Sequence, residues 1–243
     1  MTGPHSSVRP VQLTILIPVY NEAQTLETAV TRALAADTLG RTREVILVDD
    51  ASGDGSPELA RRLAERHPEV RLLTHTMNQG KGAALRTGLA AARGELVLIQ
   101  DADLEYDSGD YPVLLAPFAQ GADVVYGSRF QQPGSAVGIQ LWQRGGNWLL
   151  TKLSNLLTDL ELTDMETGYK VIRRSLLDRV ELREARFGIE PEVTIKLARL
   201  RPRPHLVEVP IHYASRGYAA GKKLTPTDGV RALYCLVRYG LFG

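Results

Sequence analysis

The sequence predicts an α/β fold: a mostly parallel sheet with helices on both faces. Two observations carry this. Short apolar runs alternate with segments of helical periodicity through the first half of the chain. Each run also ends in a polar, mostly acidic cluster, as expected where parallel strands open on one ligand-binding rim.

LTILIPV (13–19) reads as the first strand. Asn21 reads as an N-cap, with Gln24 three residues on in a box-like position, and Leu26, Val30, Ala33 and Leu34 follow at helical spacing. EVILVDD (44–50) is the second strand; Ser56-Pro57 then opens a helix with Leu59 and Leu63 inward. VRLLTH (70–75) is the third strand, followed by a helix from Lys81 to Arg93 that Gly94 terminates at C′. LVLIQ (96–100) is the fourth, Pro112 starts another helix, and DVVYGS (123–128) is the fifth. The second half is less regular. It holds a helix over 139–157 with Trp142, Trp148, Leu149, Leu153 and Leu156, then a short strand and helix over 168–180. A further helix runs from Pro191 to Leu200, and a Pro-flanked strand pair or edge strand covers 201–213. Thr225-Pro226 caps a last helix whose apolar stripe is Val230, Leu233, Tyr234, Val237 and Leu241.

Bulk properties narrow the function classes. The 243 residues carry a net charge of +1, which gives no global case for nucleic acid as a partner. Residues 196–243 hold nine lysines and arginines against two acidic residues, a local signal for an anionic partner. The single cysteine, Cys235, excludes a disulfide within the chain and fits a reducing, cytoplasmic setting. The first ten residues lack a signal-peptide core, and no run nears the roughly 18 apolar residues of a membrane span, so membrane contact is expected to be peripheral.

The chemistry concentrates at the strand ends. Asp101-x-Asp103 suits a hard divalent cation, Mg²⁺ or Mn²⁺, which binds through few carboxylates plus substrate phosphates. Glu105 is a possible third ligand, and Asp107 reads as solvated loop. Asp49 and Asp50 can accept from a base or ribose, and Pro18, Tyr20 and Glu22 lie at the first strand end. Asn78-Gln79-Gly80-Lys81-Gly82 sets a lysine at a helix start where it can face phosphate, but it lacks Walker spacing, and no GxGxxG follows the first strand. Arg129 ends the fifth strand, and Arg216 and Lys222 flank a glycine-bounded basic loop able to close on an anion. The five histidines show no metal-ligand spacing.

The segments IPVYNE (17–22), VDDASGDGS (48–56), NQGKGAALRTG (78–88), DADLEY (101–106), GSRF (127–130), TDMETGYKVIRRSLL (163–177) and SRGYAAGKKL (215–224), in this order, resemble the inverting GT-A glycosyltransferases of family 2. More narrowly, they resemble the dolichyl-phosphate mannose synthase and polyprenyl-phosphate sugar transferase branch. The resemblance implies one GT-A domain over 1–243, with a nucleotide-sugar half to about 130 and an acceptor half beyond it. It implies transfer of a hexose from GDP-mannose or UDP-glucose to a lipid phosphate, with a divalent ion as cofactor. Pro18, Tyr20, Glu22 and Asp49 or Asp50 would hold the nucleoside; Asp101, Ala102 and Asp103 the diphosphate and metal; Lys81, Arg129, Arg216 and Lys222 (or Lys223) the donor phosphates; and Arg144 and Lys170 the acceptor. Where the family often has Ser-Gly-Phe-Arg, this chain has Thr167-Gly168-Tyr169-Lys170, and lysine lacks arginine's bidentate fork. An alcohol acceptor would need a base, for which Asp164, Glu190 and Glu192 are the candidates. A phospho-receiver module would share the ILVDD run but not the preceding β-α unit, Asp103 or the basic second half. An inactive nucleotide-sugar-binding scaffold is a third reading, which turnover would exclude.

Overall fold

The computed structural model describes residues 10–216 and 226–242. The five expected strands are present: β1 (Leu13–Val19), β2 (Arg43–Asp49), β3 (Val70–Thr74), β4 (Leu96–Ile99) and β5 (Val124–Ser128). Helices α1 (Leu26–Ala35), α2 (Ser56–Arg66), α3 (Lys81–Ala91) and α4 (Tyr111–Leu115) connect them. Then come β6 (Ala136–Val137), α5 (Leu141–Thr158), β7 (Lys170–Arg173), α6 (Arg174–Leu177), α7 (Ile189–Ala198), β8 (Leu206–Pro210), β9 (Tyr213–Ala214) and α8 (Pro226–Phe242).

Seven strands form one sheet in the order β3-β2-β1-β4-β7-β5-β8. All neighbours run parallel except β7, which is antiparallel to both β4 and β5. This is the mostly parallel GT-A arrangement, with helices on both faces. Alternation along the strands divides the core. Ile15, Ile17, Val45 and Leu47 pack with Leu26 and Val30 of α1 and Leu59 and Leu63 of α2. Leu16, Ile46 and Val48 pack with Ala84 and Leu85 of α3, Val193 of α7 and Leu236 of α8. The chain moves outward from β1 through β2 to β3, then returns to place β4 on β1's other side. The crevice at the carboxyl ends of β1 and β4 is therefore the topological switch point, where such sheets bind ligands.

Several local expectations are corrected. Asn21 does not cap α1, whose N-cap is Thr25; Asn21 is left-handed (φ 52°), and its Oδ1 accepts from Gly53 N–H at 2.7 Å. Ser56 lies inside α2 after Gly55, and its hydroxyl accepts from Glu22 N–H at 2.8 Å. Both residues tie the β1 and β2 loops together instead of starting helices. Gly94 is not a C′ residue: α3 ends at Ala91 into extended Ala92, and a Cβ on Gly94 would sit 2.4 Å from Thr14 N. The direction of the α8 stripe, which its spacing leaves open, is outward, and Ala232, Cys235, Leu236 and Tyr239 take the buried side. Thr225, its expected cap, lies outside the described residues.

Candidate active site

Three loops leaving parallel strands each contain a non-glycine residue at positive φ: Asn21 after β1, Ala51 after β2 and Leu104 after β4. Such conformations are held only where surrounding contacts over-determine them. They turn the chain back at the rim and surround a cavity of about 690 Å³. Pro18, Tyr20, Glu22, Asp50, Lys81, Asp101, Ala102, Asp103, Glu105, Arg129 and Arg216 all line it.

Asp50 positions Lys81. Its carboxylate accepts from Gln79 N–H (2.9 Å) and Gly80 N–H (2.7 Å) and meets His75 Nδ1 at 2.7 Å, clamping the turn before α3. Gly80 is required there: φ is +96°, and a Cβ would lie 2.5 Å from Ala185 O. Lys81 Nζ reaches Asp101 at 2.8 Å and Glu190 at 3.3 Å. Burial works against its charge, but Asp101 and then Glu190 hold its pKa well above the usual lysine range.

Arg216 closes the opposite side. Its guanidinium donates to both Glu22 oxygens, at 2.9 and 2.7 Å, and lies 3.5 Å from Asp103. The Asp103 carboxyl is pushed up to about 7, by burial first and then by Asp101 and Glu105. Asp101 and Asp103 thus offer hard oxygen donors side by side on the cavity wall, flanked by Lys81 and Arg216. That fits Mg²⁺ or Mn²⁺, which take one or two carboxylates together with substrate phosphates. No three His, Cys, Asp or Glu side chains form a metal cage among the described residues. Glu105 is committed elsewhere: it accepts from Tyr213 O–H and from Arg216 N–H (2.9 Å), which anchors the start of the basic loop. The expected third ligand is thus a loop anchor.

Arg129 leaves β5 and forms a two-pronged pair with Asp164, at 2.6 and 2.7 Å, while its guanidinium lies over the Tyr213 ring. Asp164 is therefore not free to act as a base. Glu192 is likewise taken, by Arg183 N–H, Glu184 N–H and Lys196. Gly168 lets the β7 loop approach the acidic pair: a Cβ there would lie 2.6 Å from Asp101 Oδ2.

Three expected residues are not on the cavity wall. Asp49 is buried, with Oδ2 accepting from Ser52 N–H at 3.4 Å. Lys170 is fully buried and paired with Glu190 and Thr167 O, because it faces inward from β7. Arg144 is exposed and lies 5.4 Å over the Phe130 ring. Lys222 and Lys223 lie outside the described residues. The cavity also has walls not anticipated from sequence, notably Glu166, Arg186 and Phe187. The Glu166 side chain has a buried Oε1 with no hydrogen-bond partner, and its carboxyl is raised to about 7 by burial and then by Glu190. TDMETGYK contained Glu166, but no periodicity or spacing marks it as an inward carboxylate.

Residues 14–181 match the model of "Glycosyl transferase family 2". The chain is 32% identical over 238 residues to an undecaprenyl-phosphate mannosyltransferase of Micrococcus luteus, covering 93% of each chain. It is 32% identical over 216 residues to an undecaprenyl-phosphate 4-deoxy-4-formamido-L-arabinose transferase of Pseudomonas aeruginosa, covering 88% of this chain and 61% of that one. It is 27% identical over 237 residues to a dolichol-phosphate mannosyltransferase of Pyrococcus furiosus, covering 94% and 64%. The chain therefore spans less than two thirds of the length of the last two. Among solved structures, glucosyl-3-phosphoglycerate synthase from Mycobacterium tuberculosis, in complex with Mn²⁺, UDP and phosphoglyceric acid, superposes with a TM-score of 0.70. It covers 96% of this chain and 79% of that one at 19% identity, a likeness of fold. By the family match and the Micrococcus relative together, this chain belongs to glycosyl transferase family 2.

Proposed function

We propose that the chain is an inverting hexosyltransferase that moves mannose or glucose from GDP-mannose or UDP-glucose to a polyprenyl or dolichyl phosphate. The observation that carries the reading is the convergence at the switch point of Asp101 and Asp103 with Lys81 and Arg216, in a cavity large enough for a nucleotide sugar. The relatives' names add the acceptor class: two act on undecaprenyl phosphate and one on dolichol phosphate.

Each residue has a task in this reaction. Tyr20 and Pro18 flank the nucleoside. A bound Mg²⁺ or Mn²⁺, held by Asp101 and Asp103, supplies charge stabilisation for the departing diphosphate. Lys81 and Arg216 add donors already aimed at that position by Asp101 and Glu22, so little reorganisation accompanies bond cleavage. A phosphate monoester is ionised near neutral pH and needs orientation more than a base. Arg186 lines the cavity where Arg144 and Lys170 do not, and it takes their place as the acceptor-phosphate residue. For an alcohol acceptor, Glu166 and Glu190 are the cavity carboxyls among the described residues with a buried oxygen that accepts no hydrogen bond; Glu190 is ion-paired with Lys81 and Lys170, so Glu166 favours a second reading in which its carboxylate is the base. A thermal-shift panel of nucleotide sugars with Mn²⁺ or Mg²⁺ tests the donor site. One nucleotide sugar should stabilise the protein, and Asp103→Ala should abolish the shift; a shift that survives in the variant contradicts the assignment.

A further inference from the structure

Residues 181–185, between α6 and α7, belong to no helix or strand, so their backbone groups must find partners elsewhere. Two helices supply them. The Glu192 carboxylate of α7 accepts from Arg183 N–H at 2.8 Å and from Glu184 N–H at 2.7 Å. On α3, Ala83 N–H donates to Ala185 O at 3.0 Å, and Arg86 donates to Arg183 O at 2.7 Å. The fit to α3 is close. A Cβ on Gly82 would lie 2.4 Å from Glu184 O, just as one on Gly80 would meet Ala185 O. The segment is therefore the wall against which the first turns of α3 are laid, and Lys81 stands between the two glycines that touch it.

A third helix fastens the same segment from behind, through one side chain. Glu184 is 5% exposed, and a carboxylate so buried needs partners. They come from α8. The Arg231 guanidinium donates to it from Nε at 3.0 Å and from Nη2 at 2.9 Å, and Tyr239 O–H donates at 3.0 Å. Neither Glu184 nor Arg231 lines the cavity, whereas Arg186, Phe187 and Ala232 beside them do. The pair therefore has no direct contact with a bound donor. Its reach to the site runs through the backbone of 183–186 to the start of α3, and from there to Lys81, whose ammonium meets Asp101 at 2.8 Å.

We propose that Glu184 is a positioning residue: by pinning the 183–187 segment to α8, it fixes the start of α3 and so aims Lys81 at the donor diphosphate. Its purpose rests on the donor-site reading above, but the chain of contacts from α8 to Lys81 does not. The test uses the full chain and two readouts. Calorimetry with Mn²⁺ measures affinity for GDP and for UDP, and hydrogen exchange follows the amides of residues 80–86. Glu184→Gln keeps the size of the side chain and removes the charge that Arg231 grips, while Arg231, already half-exposed, stays solvated. Well below the melting temperature, affinity for the nucleotide that the wild type binds should fall about tenfold, and exchange at 80–86 should quicken. Arg231→Gln should do the same, and the double variant should lose no more than either single one, because both break one link. Val45→Ala, which loosens the opposite face of the sheet, should cost stability without changing affinity. Unchanged affinity or unchanged exchange in Glu184→Gln, additive losses in the double variant, or an equal loss of affinity in Val45→Ala would overturn the proposal. If the wild type binds neither nucleotide while exchange at 80–86 still responds to Glu184→Gln, the link to α3 stands and the donor-site reading falls.

Discussion

Asp103→Asn separates the two roles given to the acidic pair. The wild-type carboxyl is raised from the ordinary 3.8 to about 7 by burial and by Asp101 and Glu105. At about 1.4 kcal/mol per pH unit, that gap is worth about 4 kcal/mol. Because the folded value lies above the unfolded one, the stabilisation is complete below pH 3.8 and is lost as pH rises through about 7. Asparagine cannot ionise. The variant without metal should therefore match the wild type near pH 4 and exceed it at pH 8, by up to about 4 kcal/mol. Mn²⁺ should reverse the order, stabilising the wild type at pH 8 and leaving the variant unchanged. Urea unfolding at both pH values, with and without Mn²⁺, reads all four corners. A stability difference independent of pH, or Mn²⁺ protection that survives the substitution, would refute the reasoning.

Three further outcomes follow from the same contacts. Glu166→Gln should stabilise the protein above pH 7 by up to about 3 kcal/mol and do little near pH 4, because the raised carboxyl costs stability as pH climbs from 4.5 through about 7; chemical denaturation at the two pH values checks this. Gly168→Ala should cost about 1–3 kcal/mol and depress turnover, since its methyl would meet Asp101 Oδ2 at 2.6 Å; melting curves and steady-state rates measure both. Arg216→Lys should weaken donor binding about tenfold by losing the two-pronged contact with Glu22, as read by calorimetric titration; unchanged affinity would show that the fork does not matter.

The rim of the sheet was legible because parallel strands leave a local signature: four to seven apolar residues, then a polar turn. Asp101-x-Asp103 and Tyr20-Asn21-Glu22 could be placed on that rim without knowing which strands are neighbours. Pairings across the chain were not legible. Arg216 and Glu22 lie 194 residues apart, and Arg129 and Asp164 lie 35 apart. Nothing in either segment announces its partner. Lys170 was misplaced for a related reason. A cation in a motif looks solvent-facing until β7 turns out to be an antiparallel strand between β4 and β5, which buries its first residue. The stripe on α8 was visible as a stripe, but spacing alone does not say whether it faces the core or the solvent. The buried face of α8 is as apolar as the exposed one.

The central claim is catalytic, and one measurement addresses it most directly. Purified protein is incubated with Mn²⁺, a polyprenyl phosphate and radiolabelled GDP-mannose or UDP-glucose, and the lipid product is isolated and its anomeric configuration determined. The account predicts a glycosyl phospholipid from one of the two donors, with the anomeric centre inverted and no product from Asp101→Ala/Asp103→Ala. Transfer with retained configuration, transfer only to soluble alcohols, or undiminished product from the double variant would contradict it.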